Sequence, residues 1–227
     1  MEMAVAQPGR ATLTKALSIG VAVGVYGVSF GVLAVASGLS PAQACVMSML
    51  VFTGASQFAF VGVIATGGGA LAAMGPAVML ALRNTAYGLS LTPILPHRLR
   101  DRLLAAHLII DETTAMARAE TDPEAARRAF LATGVSVWVF WNVGTLVGAL
   151  VGGGIGDPRR FGLDAMFPAA FLALLAPQLR RPGAPVAAIT GAIIALALVP
   201  FAPAGVPVIA ALAGVIPGVL VARGARA

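Results

Sequence analysis

Charge is what this sequence has least of. Only 11% of its 227 residues are Asp, Glu, Lys or Arg, against 59% hydrophobic, and from Ala16 to Leu82 there is no charged residue at all. A soluble fold of this length would lack the polar side chains to clothe its surface. With a mean hydropathy of +0.91, the chain reads as an integral membrane protein whose main partner is the lipid bilayer. The lone Cys45 excludes an internal disulfide, has no metal-ligand companion, and is read as a small apolar packing residue. Histidine is confined to His97 and His107, both in one hydrophilic stretch. No P-loop is present, so energy is expected from an ion or substrate gradient, with no cofactor and no metal. The net charge of +6 raises the question of nucleic acid, but the arginines sit in short gaps between apolar runs. That is the pattern of topology signals, and no nucleic-acid partner is expected.

The apolar runs are longer than the roughly 9 to 11 alternating residues of a transmembrane strand, so the spans are helices. Ala16 to Ser37 is long enough to cross a core of about 30 Å; Ala34-Val35-Ala36 also resembles a signal-peptide cleavage site, which is the competing reading. Ser40 caps, and Pro41 opens, a second span running to Thr66, whose surplus length leaves room for a break near Gly54. Gly67-Gly68-Gly69 turns the chain into a third span, Ala70 to about Pro93. In the hydrophilic stretch 94–128, Leu99, Leu103, Ala106, Ile110, Thr113 and Ala117 fall at helical spacing. That spacing predicts one amphipathic helix lying along the membrane, with Asp122 capping the helix after it. A fourth span, Ala129 to Gly156, carries Trp138, Trp141 and Asn142, and a fifth, Phe161 to Gln178, is interrupted by Pro168. Pro200 to Gly205 divides the remaining uncharged run into a sixth and a seventh.

The expected fold is an all-α polytopic membrane protein of about seven transmembrane helices, with residues 1–227 forming a single transmembrane domain. If the N-terminus is outside, ten arginines fall on the cytoplasmic side against four basic residues opposite, which favours an outside N-terminus and a cytoplasmic C-terminus. Ser29-Phe30-Gly31-Val32-Leu33 is echoed by Leu146-Val147-Gly148-Ala149-Leu150, and in both copies the glycine lies ten residues before a proline, Pro41 or Pro158. Each copy then reaches a breaker, Phe52-Thr53-Gly54-Ala55 or Phe167-Pro168-Ala169-Ala170. With 16–93 as first half, 94–128 as connector and 129–200 as second half, three spans per half predict an inverted repeat with broken helices near the midplane. Residues 206–222 are then an extra C-terminal span. The alternative is chance likeness between alanine- and glycine-rich helices.

Val51 to Phe60 is the polar interruption of an otherwise apolar span, and in lipid such groups must find partners inside the protein. Paired breaks in two halves point to a transporter site at the midplane. Arg83, with Asn84 and Tyr87, lies inside the third span, where a charge costs at least about 2.5 to 3.5 kcal/mol unless it faces a polar partner or cavity; the alternative is an early span end from which Arg83 snorkels. Asp111-Glu112 reads either as a solvated surface pair or as a gate or counter-ion for a membrane arginine.

Four motifs in order, F-T-G-A-S-Q-F (Phe52 to Phe58), L-R-N-T-A-Y-G-L-S-L (Leu82 to Leu91), D-E-T-T-A-M (Asp111 to Met116) and G-D-P-R-R-F-G-L-D-A-M-F-P-A (Gly156 to Ala169), resemble the AzlC family of branched-chain amino acid permeases. These are the large subunits of bacterial two-component exporters of the YgaZH and BrnFE type. The resemblance covers roughly Ser18 to Leu179. It implies a multi-pass protein of the bacterial plasma (inner) membrane that exports valine, leucine, isoleucine and, as a further candidate, methionine. It also implies a small AzlD-type membrane subunit as partner, and a homo-oligomer is left open. One departure is Asn84, where the family pattern more often has histidine; asparagine does not titrate.

The expected substrate site is Gly54, Ala55, Ser56, Gln57 and Pro168 around the zwitterionic end of an amino acid, with Arg83 or a helix N-terminus meeting its carboxylate and Asn84 and Tyr87 nearby. Phe58, Met166 and Phe167 are expected to hold the branched side chain. Asp111, Glu112 and Asp164 are the candidates for coupling or gating. No catalytic residue is assigned. The competing classes are a channel for small solutes and an intramembrane hydrolase using Ser56, which would need a histidine in another span.

Overall fold

The computed structural model describes residues 9–154, 169, 171–172 and 175–224. Lipid offers the backbone no hydrogen bonds, so a spanning chain must satisfy its own, and the regular elements among the described residues are helices. They are α1 (Arg10–Ala36), α2 (Pro41–Leu50), α3 (Ala55–Ala65), α4 (Ala70–Ala81), α5 (Arg83–Leu91), α6 (Leu99–His107), α7 (Asp111–Arg118), α8 (Pro123–Gly154) and α9 (Ala184–Leu198). Last comes α10 (Val206–Gly224), which tightens to a 3-10 turn at Ala211–Gly214. α1, α8 and α10 are long and apolar enough to cross a membrane, while α2, α3 and α9 are shorter apolar helices. The fold is that of an all-α polytopic membrane protein.

Local chemistry sets the boundaries. Ser40 Oγ accepts from the Gln43 N–H at 3.2 Å and Gln43 Oε1 accepts from the Ser40 N–H at 2.8 Å, a reciprocal capping box with Pro41 in the first turn of α2. α2 ends at Leu50, and Val51 to Gly54 leave helical geometry, with Gly54 at φ +58°, before α3 begins. The third span is also interrupted: Leu82 separates α4 from α5 while keeping dihedrals close to helical, φ −57° and ψ −27°.

The chain forms two compact units, Met1–Gln57 with Ala81–Ile155, and Phe58–Leu80 with Gly156–Ala227. The first is built on α1 against α8. Gly20, Gly24, Gly27 and Gly31 of α1 face Ser136, Phe140, Trp141 and Thr145 in that order, and Gly144, Gly148 and Gly152 of α8 face Gly24, Val28 and Val32. A Cβ on Gly27 would come within 2.6 Å of the Trp141 carbonyl oxygen, and one on Gly31 would overlap that of Thr145. Small residues thus let two backbones touch, which is how helices gain packing energy where lipid removes the hydrophobic drive.

The contacts advance together along both helices, so α1 and α8 run in the same direction. This differs from the inverted repeat, whose first spans would be antiparallel. That expectation counted both interrupted segments, the second and third spans, as full crossings; the parallel pair requires the chain between Ser37 and Asp122 to return to the side from which α1 sets out. The echo itself has a geometric counterpart. Shifting by the interval from Gly31 to Gly148 converts the contact Gly31–Thr145 into Val28–Gly148, and Gly27–Trp141 into Gly24–Gly144, and all four are present.

The hydrophilic stretch is two helices rather than one. α6 and α7 make a hairpin whose tip, Leu108 to Ile110, reaches Gly134 of α8, with 3.0 Å between Leu108 Cβ and a Cβ built there. Gly134 lies about 16 Å from the start of α8 at 1.5 Å per residue. Leu91, Leu95, Ala105, Ile109, Ala117, Ala126 and Phe130 close a buried apolar cluster beneath the hairpin. Ala105, not Ala106, faces this core, and Leu99 and Leu103 of the expected stripe are exposed. The tip has neither glycine nor proline. Instead the Thr113 hydroxyl accepts from the Ile110 N–H at 3.0 Å and donates to the Leu108 carbonyl at 2.8 Å, and the Thr114 hydroxyl donates to the Ile110 carbonyl at 2.7 Å.

In the second unit α9 and α10 form an antiparallel hairpin through Gly183, Gly191, Gly214 and Gly218. Gly68 and Ala72 pack on its turn at Ala204 and Gly205, and Gly75 on Ile209 in the first turn of α10.

Candidate functional site

At the break between α2 and α3, the Thr53 N–H donates to the Val51 carbonyl at 2.8 Å, and the Gln57 side chain folds back to accept from the Gly54 N–H at 3.2 Å. A left-handed residue is needed where the chain re-enters a helix so abruptly, and glycine adopts that conformation without the Cβ penalty. Gln57 is fully buried, Ser56 is 2% exposed, and Gln57 Nε2, Ser56 Oγ and Thr53 Oγ1 have no hydrogen-bond partner among the described residues. Buried polar atoms of this kind cost about 1 to 3 kcal/mol each when unpaired, so such a cluster is where a polar ligand or water is expected. The first turn of α3 contains no acidic residue, which leaves its positive dipole end open to an anion.

Aromatic rings stand next to this break. Trp141 Cη2 is 3.9 Å from where a Cβ of Gly54 would lie, and Trp141 stacks on Phe30 with centroids 5.9 Å apart. Below them Ser48 Oγ donates to Thr145 Oγ1 at 3.1 Å, tying α2 to α8 across a buried interface. Asn142 Nδ2 donates to the Trp138 carbonyl at 2.8 Å, while Asn142 Oδ1 is buried without a partner among the described residues.

The tip of the α6–α7 hairpin meets the same region. His107 packs on Phe52 with centroids 5.9 Å apart. Asp111, opening α7, lies 3.6 Å from Arg83, opening α5. Thus three of the four sequence motifs converge within the first unit: the helix break, the arginine after Leu82, and the threonine-closed tip. Asp111 and Glu112 occupy the first turn of α7, where the helix dipole favours carboxylates. α7 is not a spanning helix; burial, and then the neighbouring Asp111 carboxylate, push Glu112 up to about 7.

Among the other residues singled out by sequence, Ala55 and Ser56 begin α3 and Asn84 sits in the first turn of α5 with Oδ1 buried and unpartnered among the described residues. Tyr87 packs against the apolar cluster under the hairpin. Phe58 is buried and meets Phe171 edge-on at 6.5 Å within the second unit. Pro168, Asp164, Met166 and Phe167 lie outside the described residues. Sequence reasoning left Phe30, Ser48, Trp141 and Thr145 out of the site, although two tryptophans and an asparagine in an uncharged span were a usable signal. Ser56 Oγ has no base within reach among the described residues, and His107 faces Phe52 instead. No group of three metal-ligating side chains occurs among the described residues.

The profile of the AzlC protein family matches residues 18–155, from α1 through α8. The chain belongs to the AzlC family. Inner membrane protein YgaZ of Escherichia coli (strain K12) is 30% identical to this AzlC chain over 204 residues, covering 86% of it and 81% of YgaZ. An uncharacterized membrane protein of Helicobacter pylori (strain ATCC 700392 / 26695) is 25% identical over 159 residues, 69% of each chain. No solved structure matches the chain. Family and membrane relatives together make this AzlC protein a membrane transport protein.

Proposed function

We propose that this AzlC-family chain is a secondary transporter that exports branched-chain amino acids, valine, leucine, isoleucine and also methionine, across the bacterial inner membrane together with a small AzlD-type subunit. The observation that carries the reading is the helix break at Val51 to Gly54, which stands beside the Phe30–Trp141 stack and is followed at once by the buried Ser56 and Gln57, with polar atoms unpaired among the described residues. An amino acid needs an anion site, donors and acceptors for its charged end, and an apolar wall for its side chain. The start of α3 and Arg83 supply positive potential, Gln57 and Ser56 supply the polar atoms, and Phe30 and Trp141 supply the wall. Such a wall discriminates one methylene by only about 1 to 3 kcal/mol, so several branched side chains are accepted. Asp111 and Glu112, next to Arg83, are the groups through which protonation would be coupled to release.

The test is flux of radiolabelled valine and leucine in cells expressing this chain with and without the small membrane protein encoded beside it. Accelerated efflux that needs both proteins supports the proposal. Unchanged flux of both amino acids in both conditions sinks it.

A further inference from the structure

Beside α8, the outer face of α6 borders a groove of about 730 Å³, walled by Arg100, Leu103, Leu104 and His107, with Trp138 of α8 as its floor. The groove lies within the first unit, and no residue of the helix break lines it, although its His107 also packs on Phe52 of the break. Its leucines are open: Leu99, Leu103 and Leu104 are 71%, 63% and 64% exposed. Its polarity is graded along one axis. Arg98, Arg100 and Arg102 crowd the start of α6, opposed only by Asp101, whereas the far end reaches Leu108 against Gly134 and the Trp138 ring. From Arg100 to Leu108 the helix rises about 12 Å, close to the depth of one leaflet's hydrocarbon, about half of 30 Å.

We infer that this groove is a binding site for an anionic phospholipid. Arg100, supported by Arg98 and Arg102, holds the headgroup phosphate, and an acyl chain runs along Leu103 and Leu104 onto Trp138. The charge gradient selects this occupant over an apolar transmembrane helix, which offers the arginines nothing. His107 is already engaged by Phe52 at 5.9 Å, so the phosphate contact belongs to the arginine end. The inference is independent of which solute the protein carries.

The test is native mass spectrometry of the full chain released from detergent, titrated with phosphatidylglycerol or phosphatidylethanolamine of matched chains. One phosphatidylglycerol is expected to be retained in clear preference. Arg100→Ala should weaken it about fivefold, the effect of one surface cation on an anionic lipid. Leu103→Trp, which keeps every charge but fills the groove, should reduce retention of both lipids. Equal retention of the two lipids, or retention indifferent to both substitutions, overturns the proposal. So does occupation of the groove by a second copy or by the small subunit, seen as protection of a Leu103→Cys thiol only in that complex.

Discussion

Arg83 and Asp111 are each at least a third exposed and 3.6 Å apart. Such a pair stabilises by no more than about 1 kcal/mol, so a structural role and a transport role for Arg83 separate cleanly. Arg83→Ala is expected to leave the melting temperature of the purified protein within a few degrees of the parent while lowering valine flux at least about tenfold, the loss of one charge-assisted contact of roughly 1.5 kcal/mol or more. Arg83→Lys should recover part of the flux. A variant that unfolds but transports normally when rescued by low temperature would assign the arginine to stability instead. Glu112 makes a prediction with a defined sign. Its folded value of about 7 lies above the ordinary 4.5, so the folded protein keeps a proton that the unfolded chain gives up. Stability from this group is therefore whole below about pH 4.5 and is lost as pH rises towards 7. Glu112→Gln should flatten the fall in melting temperature between about pH 5 and 8; an unaltered slope would show that another group causes it.

Elements were legible where the sequence carries backbone-specific residues. Gly54 and its polar neighbours announced the break in the second span, and Ser40-Pro41 its start. The α6–α7 hairpin was hidden because its tip lacks glycine and proline and the leucine spacing continues through it; the acidic pair Asp111-Glu112, favoured in the first turn of a helix, was the available start signal. The glycine stripes of α1 and α8 were legible as spacing, four, three and four residues apart in α1 and four and four in α8, yet nothing in one stripe says which other it meets or in what direction. Two glycine substitutions tell geometry from space. At Gly54 a methyl has room, its nearest neighbour being Trp141 at 3.9 Å, but φ is +58°; Gly54→Ala should cost about 1 to 2 kcal/mol through backbone strain alone. At Gly148 a methyl would overlap the Val28 carbonyl although the residue is helical. Gly148→Leu should therefore force α1 and α8 apart and lower the melting temperature more than Gly54→Ala does, and equal effects would refute the contact assignment.

At the scale of the whole molecule, the direction of α8 relative to α1 decides how the interrupted segments are threaded. Gly20 faces Ser136 and Gly152 faces Val32, so the beginnings of the two helices share one side of the bilayer and their ends the other. An inverted repeat of three full spans would put the two beginnings on opposite sides. Because Cys45 is the only cysteine, Cys45→Ser gives a clean background for thiol mapping. In it Ala11→Cys, just inside α1, and Glu120→Cys, just before α8, are both exposed and should react with a membrane-impermeant maleimide from the same face of oriented vesicles. Ala36→Cys, at the far end of α1, should react only from the other face. Labelling of positions 11 and 120 from opposite faces would restore the antiparallel arrangement, and with it the requirement that both interrupted segments cross completely. The expected same-face result instead leaves an odd number of crossings between the two long helices, so that one interrupted segment returns to the side it entered from. A segment that dips in and turns back carries at its turn backbone groups that no continuous helix satisfies, and a solute's charged end needs such donors and acceptors, which the lipid cannot give.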